Sequence, residues 1–140
     1  MTKVVNTVFY MEDHGSSISI GRDFTMEGGH IASTEGKSII IGDDCMFSND
    51  VEIRNGDSHP ILDQETGKRT NNAALVTIGD HVWITAHVRI LKGAIIPDGS
   101  IIGNSSVVSA KFKGSNSVYA GIPARLVKSN IMWERDRQKF

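Results

Sequence analysis

One polar segment, residues 54–69, contains the side chains of this sequence best suited to chemistry, and the most informative of them is His59. It stands in the run Asp57-Ser58-His59-Pro60. An imidazole with its ordinary pKa of about 6.5 is mostly neutral at neutral pH, so it can accept a proton from a reacting hydroxyl. A histidine among turn-forming residues can also cap a turn, and taken alone His59 fits that structural role better.

A six-residue repeat must position this segment. The aliphatic residues that carry the repeat are Ile78, Ile84, Ile90, Ile96, Ile102 and Val108. An amphipathic helix needs apolar residues at i, i+3, i+4 and i+7, so this period excludes one. Six residues instead form one flat face, and three faces close a triangular coil whose strands stack about 4.8 Å apart. The sequence therefore predicts an all-β solenoid with three stacks, in which Ile96 lies above Ile78, Ile102 above Ile84 and Val108 above Ile90.

The repeat also sets the predicted domain boundaries. Upstream it returns in another register at Ile41, Phe47 and Ile53, with a weaker earlier pair at Ile20 and Met26. We therefore expect the solenoid to occupy residues 18–128, after an N-terminal segment of residues 1–17. Residues 129–140 begin with a serine suited to capping and are rich in helix formers. They predict a short helix over one end of the solenoid, on which Trp133 and Phe140 pack.

The repeat is interrupted once by a long excursion. The spacing from Ile53 to Ile78 is twenty-five residues instead of six. The intervening segment, about residues 54–75, is polar and rich in turn formers, so we expect it to project from the solenoid as a loop. Long loops on rigid scaffolds often carry function, and this one carries His59.

Composition and charge argue against several functional classes. The chain has 140 residues and a formal net charge of -1, which gives no broad electrostatic reason to bind nucleic acid. It has no apolar run long enough to span a membrane and no recognisable signal peptide. The expectation is one cytoplasmic domain.

The other reactive side chains have simpler structural interpretations. Cys45 is the single cysteine, so it cannot form an internal disulfide. It follows Ile41 by four positions, where the repeat predicts a small buried corner residue rather than a nucleophile. His81 and His87 are six residues apart, which places them on successive faces. They cannot converge on one ion, and no metal requirement is expected.

Three motifs together resemble a known family. They are Asp57-Ser58-His59-Pro60, Ile78-Gly79-Asp80-His81-Val82-Trp83-Ile84-Thr85-Ala86 and Ala120-Gly121-Ile122-Pro123-Ala124-Arg125. Over residues 18–128 the chain is similar to the hexapeptide-repeat, acyl-CoA-dependent acyltransferases, in particular the galactoside, maltose and capsular-polysaccharide O-acetyltransferases. That resemblance implies a left-handed parallel β-helix, a handedness that the period alone cannot show.

The resemblance also implies a reaction. Acetyl-CoA would donate its acetyl group directly to a sugar hydroxyl, in a cell-surface polysaccharide or its precursor, with His59 as general base. The Ala86 amide would lie at the thioester or at the pantetheine arm, and Trp83 would wall the site or pack on a neighbouring subunit. The other positions matching coenzyme-binding residues are Asn104, Ser109, Lys111, Arg125 and Lys128. Lys111 matches only with a local shift, because Ala110 stands where the family often has lysine.

The sequence says less about the sugar acceptor and about how subunits assemble. The resemblance implies a homotrimer with sites between subunits, and it places His30 near the acceptor. Asn55, Asp57 and Asp63 are further candidates for sugar contacts, although both aspartates can instead form Asx turns. Two alternative functions stay open. They are N-acetyl transfer to an amino-nucleotide sugar and a noncatalytic scaffold that has no affinity for coenzyme A.

Overall fold

A computed structural model describes residues 1–138, which contain sixteen strands and no helix. In chain order the strands are β1 (Lys3–Val4), β2 (Thr7–Met11), β3 (Ser17–Ile20), β4 (Thr25–Met26), β5 (Gly29–Ser33), β6 (Ser38–Ile41), β7 (Met46–Phe47), β8 (Val51–Arg54), β9 (Val76–Ile78), β10 (Trp83–Ile84), β11 (Arg89–Ile90), β12 (Ile95–Ile96), β13 (Ile101–Ile102), β14 (Val107–Val108), β15 (Val118–Gly121) and β16 (Ala124–Lys128). Successive strands fall on three different sheets, so the chain winds as a solenoid.

The three sheets are the faces of a prism. Face A contains β1, β4, β7, β10, β13, β15 and β16; face B contains β2, β5, β8, β11 and β14; face C contains β3, β6, β9 and β12. Neighbouring strands are parallel except in the hairpin of β15 and β16. The predicted all-β, left-handed parallel β-helix is confirmed.

The aliphatic repeat fills the prism interior. The three predicted stacks are confirmed as paired positions: Ile78 with Ile96, Ile84 with Ile102, and Ile90 with Val108. The upstream register joins the same columns, since Phe47 pairs with Ile84 and Ile53 with Ile90. All of these side chains are buried. Each contributes about 1.5–3 kcal/mol through removal of apolar surface from water, so the ladder holds the coils together.

The predicted start of the solenoid at residue 18 is wrong, because the first coil begins at Lys3. Strand β1 pairs with β4, and β2 pairs with β5 over five residues. The register shows why the period missed this coil: Lys3 lies opposite Thr25, twenty-two positions later, and Ser17 opposite Ser38, twenty-one later. The extra residues at the corners break the six-residue spacing.

The predicted C-terminal helix is also wrong within the described residues. Residues 129–138, here called the C-terminal strap, contain no helix and run along the corner between faces C and A. The Ile131 amide donates to the Asn116 carbonyl oxygen at 2.9 Å. Partners on the prism therefore satisfy groups that a helix would have paired internally. Trp133 packs as predicted and is 6% exposed, whereas Phe140 lies outside the described residues.

Aspartates connect the coils at this same corner. Asp98 Oδ1 accepts a hydrogen bond from the Asp80 amide, Asp80 Oδ1 from the Asp43 amide, and Asp43 Oδ1 from the Arg22 amide, each at 2.7 Å. A Cβ on Gly42 would lie 2.3 Å from Asp80 Oδ1. In the recurring Ile-Gly-Asp sequence, the isoleucine side chain points into the prism and the glycine leaves room at the corner. The aspartate carboxylate accepts a hydrogen bond from the coil below.

Candidate active site

The loop that carries His59 leaves the prism at the corner between faces B and C. Strand β8 ends at Arg54 and β9 begins at Val76, so the loop spans residues 55–75. The Ala74 amide donates to the Asn55 carbonyl oxygen at 2.9 Å and closes the loop at its base. The loop therefore leaves from, and returns to, one point on a rigid scaffold.

His59 lies near the start of this loop, and its side chain is exposed. In the part of the chain that the structure describes, no group hydrogen-bonds its imidazole. The main chain turns tightly at this point, because the His59 amide donates to the Asp57 carbonyl oxygen at 2.7 Å. An imidazole that caps no turn does not have the structural role its sequence context suggested, and it can accept a proton from a ligand.

A buried asparagine, Asn71, holds the loop on both sides of Pro60. Its Nδ2 donates to Asp57 Oδ2 at 3.0 Å and to the His59 carbonyl oxygen at 2.9 Å. Its Oδ1 accepts from the Ile61 amide at 2.7 Å and from Arg69 Nε at 3.0 Å. One amide thus joins the outgoing and returning arms of the loop.

Asp57 forms an ion pair rather than an Asx turn. Its Oδ2 contacts Lys92 Nζ, on the prism after β11, as well as Asn71 Nδ2. The hydrogen bond from Lys92 and then that from Asn71 lower the pKa of the Asp57 carboxyl. The carboxylate is therefore charged at neutral pH and fixes the segment before His59 to the next coil.

Asp63 does form the Asx turn that was its structural alternative. Its Oδ1 accepts from the Glu65 amide at 2.9 Å and from the Thr66 amide at 2.8 Å. The Thr66 and Glu65 hydrogen bonds lower the pKa of the Asp63 carboxyl. Its role here is to shape the loop tip.

The returning arm is fixed by an ion pair to the scaffold. Arg69 Nη2 donates to Glu35 Oε2 at 3.0 Å, and Nη1 contacts the other carboxylate oxygen. Both side chains are about three-quarters covered, which strengthens a bidentate pair relative to one in open water. Glu35 belongs to the turn between β5 and β6, so the loop is tied to the coil below as well.

Asn55 is structural in this arrangement. Its Oδ1 accepts from the Thr34 amide at 2.8 Å, and its Nδ2 donates to Ser33 Oγ at 2.8 Å. The residue is fully buried, so it has no surface with which to contact a sugar. His30, the other early candidate, is exposed on face B, with its ring 6.2 Å from that of Tyr10.

The predicted coenzyme residues lie on two corners and two faces of the prism. Ala86 and Asn104 occupy adjacent coils at the corner of faces A and B, where the Ser105 amide donates to the Ala86 carbonyl oxygen at 3.0 Å. Ser109 is exposed at the His59 corner, and Lys111 is exposed on face C, where it pairs with Ile95. A face of six residues is about 20 Å wide, so one chain does not bring Ala86 to His59.

Face A carries Trp83 and the two basic residues Arg125 and Lys128. Trp83 is half-buried on β10, while Arg125 and Lys128 are exposed on β16. A cavity of about 660 Å³ adjoins the indole, and its lining includes Lys3, Thr25, Met46, Arg135 and Arg137. The indole also lies 5.9 Å from the ring of Trp133. Trp83 therefore borders both the cavity and the C-terminal strap.

The described residues show no cluster of metal-ligating side chains, and their one thiol is buried. Among residues 1–138 no group of three His, Cys, Asp or Glu side chains is placed to hold a metal ion. Cys45 is buried as predicted, and burial raises the pKa of its thiol to about 12. A protonated, inaccessible thiol is not a nucleophile.

Three residues hold the His59 loop against the prism and are here called the loop clamp: Asn71, Arg69 and Lys92. The sequence analysis did not predict a role for any of them. Their side chains act only after the loop has folded back on the prism, and the six-residue repeat contains no signal for that contact. The one available indication was polarity, because the loop's return, Lys68-Arg69-Thr70-Asn71-Asn72, is polar throughout.

Comparison with known proteins decides the family. No family model matches the chain. It is 45% identical over 119 residues to a polysialic acid O-acetyltransferase of Neisseria meningitidis, covering 85% of this chain and 55% of the relative. A polysialic acid O-acetyltransferase of Escherichia coli O1:K1 is 40% identical over 121 residues, covering 86% of this chain and 39% of the relative.

Solved structures agree. The polysialic acid O-acetyltransferase OatWY superimposes with a TM-score of 0.95 at 40% identity, covering 98% of this chain and 64% of that one. A maltose O-acetyltransferase from Clostridium difficile 630 gives a TM-score of 0.68 at 30% identity, covering 91% of this chain and 68% of that one. This chain belongs to the hexapeptide-repeat acetyltransferases.

This hexapeptide-repeat acetyltransferase chain matches only part of the length of these curated relatives. It spans 39% and 55% of the two curated relatives above. A galactoside acetyltransferase solved in complex with coenzyme A is 27% identical to it, with a TM-score of 0.67, covering 91% of this chain and 64% of that one. Residues 1–138 contain no helix long and apolar enough to cross a membrane.

Proposed function

We propose that this chain is an O-acetyltransferase that moves acetyl from acetyl-CoA to a sugar hydroxyl of a polysaccharide, with His59 as general base. The observation that carries the proposal is the exposed, unpaired imidazole of His59 on an anchored loop, in a chain 45% identical to a polysialic acid O-acetyltransferase. Polysialic acid is therefore the first acceptor to test. An acetyl-CoA-dependent enzyme would act in the cytoplasm, where this donor is made.

The proposed chemistry is direct transfer. His59 removes the hydroxyl proton as the oxygen attacks the thioester carbon, the carbon–sulfur bond breaks, and the thiolate takes up a proton. A positioned base is typically worth about 10² to 10⁴ in rate. A covalent acyl-enzyme on Cys45 is unfavourable, because that thiol is buried and has a pKa raised to about 12.

The proposed coenzyme site uses the exposed cations and polar groups of the upper coils. Arg125, Lys128 and Lys111 are exposed and can pair with phosphates. Asn104 and Ser109 can hydrogen-bond the pantetheine arm, and the Ala86 amide can donate to the oxyanion that develops at the thioester. Trp83 would form a wall of this site.

We propose that the site is completed in a homotrimer. Within one chain His59 and Ala86 lie at different corners, whereas a neighbouring copy can bring its own corner to the loop. Along face C and its corner with face B, four large apolar side chains are exposed: Ile40, Leu75, Leu91 and Ile95. Subunit contact would cover them.

The test compares His59→Ala with His14→Ala, which removes another exposed imidazole outside the site. We expect His59→Ala to lower kcat with polysialic acid by about 10² to 10⁴ and to leave acetyl-CoA affinity, measured by calorimetry, unchanged. The His14→Ala control should retain both. Full turnover by His59→Ala would refute the base, and no acetyl-CoA binding would favour a scaffold. Acetylation of an amino sugar in place of polysialic acid would favour N-acetyl transfer.

A further inference from the structure

The contacts of Asn71 single it out in the loop. It is 7% exposed and makes two donor and two acceptor hydrogen bonds at 2.7–3.0 Å. A primary amide has two N–H donors and an oxygen with two lone pairs, so its bonding capacity is fully used. A carboxylate in its place would have no donor for the Asp57 carboxylate or for the His59 carbonyl oxygen.

Two of these hydrogen bonds are made to the main chain next to His59, the candidate general base. Asn71 holds the carbonyl of His59 and the amide of Ile61, the groups on either side of Pro60. The proline ring already restricts φ at position 60. The backbone that presents the His59 imidazole is therefore fixed before, through and after the proline, although the imidazole itself has no partner among residues 1–138.

The clamp is linked to the prism at two further points. Asn71 Nδ2 also binds Asp57, which pairs with Lys92, and Asn71 Oδ1 also binds Arg69, which pairs with Glu35. Lys92 and Glu35 lie on coils above and below the loop. Asn71 thus joins the two arms of the loop, and through Asp57 and Arg69 it connects the His59 backbone to the rigid coils.

We propose that Asn71 is the positioning residue for His59, holding the loop so that the imidazole is presented in one reactive orientation. This inference rests on the proposed role of His59 as general base. Asn71 does not touch the reacting atoms. A displacement of about 1 Å at a reacting group can cost about 10²-fold in rate, so loss of the clamp should be visible in kcat.

The first experiment is Asn71→Ala, with Asn72→Ala as its control, because Asn72 is an exposed neighbour that undergoes the same chemical change. We expect Asn71→Ala to lower kcat about 10- to 100-fold with the KM for acetyl-CoA unchanged, and Asn72→Ala to leave both unchanged. The same substitution in the His59→Ala background should cost no further activity, since positioning has no effect once the base is gone.

A second readout does not depend on activity. The chain has five histidines, and the His59→Ala variant identifies the His59 signal in an NMR spectrum of protein with ¹³C-labelled histidine. We expect this signal to shift and broaden in Asn71→Ala and to stay unchanged in Asn72→Ala. If Asn71→Ala folds poorly, Asn71→Ser keeps one polar group at this position but cannot make all four hydrogen bonds, and it should give the same changes.

The outcomes distinguish the positioning role of Asn71 from the general-base role of His59. An unchanged His59 signal, or an equal loss of activity with and without His59, would overturn the positioning role of Asn71. Wild-type turnover by His59→Ala would overturn the general base instead, while the NMR comparison would still decide whether Asn71 fixes the histidine.

Discussion

The rings of His81 and Trp133 stack with their centroids 3.9 Å apart and 6° between their planes. Two hydrogen bonds reinforce the stack, because Trp133 Nε1 donates to the His81 carbonyl oxygen and His81 Nε2 faces the Trp133 carbonyl oxygen, each at 2.9 Å. The other imidazole nitrogen lies 2.6 Å from Asp44 Oδ2. Both ring nitrogens therefore have acceptors, and the strap is fixed to the prism at this pair.

Removing the Trp133 indole should destabilise the protein. We expect Trp133→Ala to lower the free energy of unfolding by about 3 kcal/mol, the lower end of the range for a buried tryptophan. Urea unfolding followed by circular dichroism measures the change. Met132→Ala, next to it on the strap and 88% exposed, is the control and should be nearly neutral. Equal stability of both variants would contradict the packing role of Trp133.

Acid should destabilise the fold through carboxylates that are hydrogen-bonded in the native state. The aspartates whose pKa is lowered are Asp13, Asp43, Asp44, Asp50, Asp57 and Asp63. Because each pKa is lower in the folded chain than the unfolded value of about 3.9, the unfolded state binds more protons in acid. This stabilisation is fully present above about pH 4 to 5 and is lost as pH falls through the folded values.

The check is the free energy of unfolding in urea at pH 7, 5, 4 and 3. Asp43→Asn should reduce the loss of unfolding free energy between pH 5 and pH 3, because it removes a carboxylate whose pKa is lowered chiefly by the hydrogen bond from the Arg22 amide. Glu134→Gln, an exposed change on the strap, serves as the control. Stability that rises as pH falls from 5 to 3 would contradict the sign.

Cys45 should resist thiol reagents in the native protein. Its side chain is buried, and its thiol pKa is raised to about 12 by burial, so the thiolate fraction at pH 8 is about 10⁻⁴. We expect modification by a chromogenic disulfide to require unfolding and to become stoichiometric in denaturant. Rapid stoichiometric labelling of folded protein would show that this corner opens.

Gly56 should be intolerant of a side chain at the start of the loop. A Cβ there would lie 2.5 Å from Thr34 Cγ2 and 3.0 Å from Ala73 Cβ. We expect Gly56→Ala to cost about 1–3 kcal/mol of stability through overpacking and to lower kcat by displacing Asp57. Thermal unfolding and turnover are the two measurements.

Gly28 offers a matched control for this substitution, since it is buried but a Cβ there meets nothing closer than 3.5 Å. Thr34→Ser removes the clashing methyl group and keeps the hydroxyl that binds Asp13. We therefore expect Thr34→Ser to restore part of the stability of Gly56→Ala. Failure of that rescue, or an equal cost at Gly28, would argue against the predicted clash.

The sequence predicts most of the prism but little of the clamp around His59. Ile78, Ile96 and their equivalents repeat at a fixed spacing because each coil meets the next in the same way, so a period reveals the contact. Asn71 has no such regularity. Its four partners come from both arms of an irregular loop, and only the folded loop brings them together.

The two errors at the chain ends have different physical causes. The first coil escaped detection because its corners hold extra residues, as the pairing of Lys3 with Thr25 shows. The strap was wrongly predicted to be a helix because helix propensity is only a weak preference. Arg135 instead donates to Asp44, Thr25 and two main-chain oxygens at 2.7–2.8 Å, and these tertiary contacts outweigh the local preference.

The strap alters how the prism should come apart. A plain solenoid is coupled only between adjacent repeats, so its terminal coils can fray one at a time, as in a one-dimensional Ising chain. Here the strap contacts Asn116 at one level and the main chain of Asp23 several coils away. Fraying of the first coils must therefore release a tether that is also attached near the other end, which makes the loss of distant coils a single cooperative event.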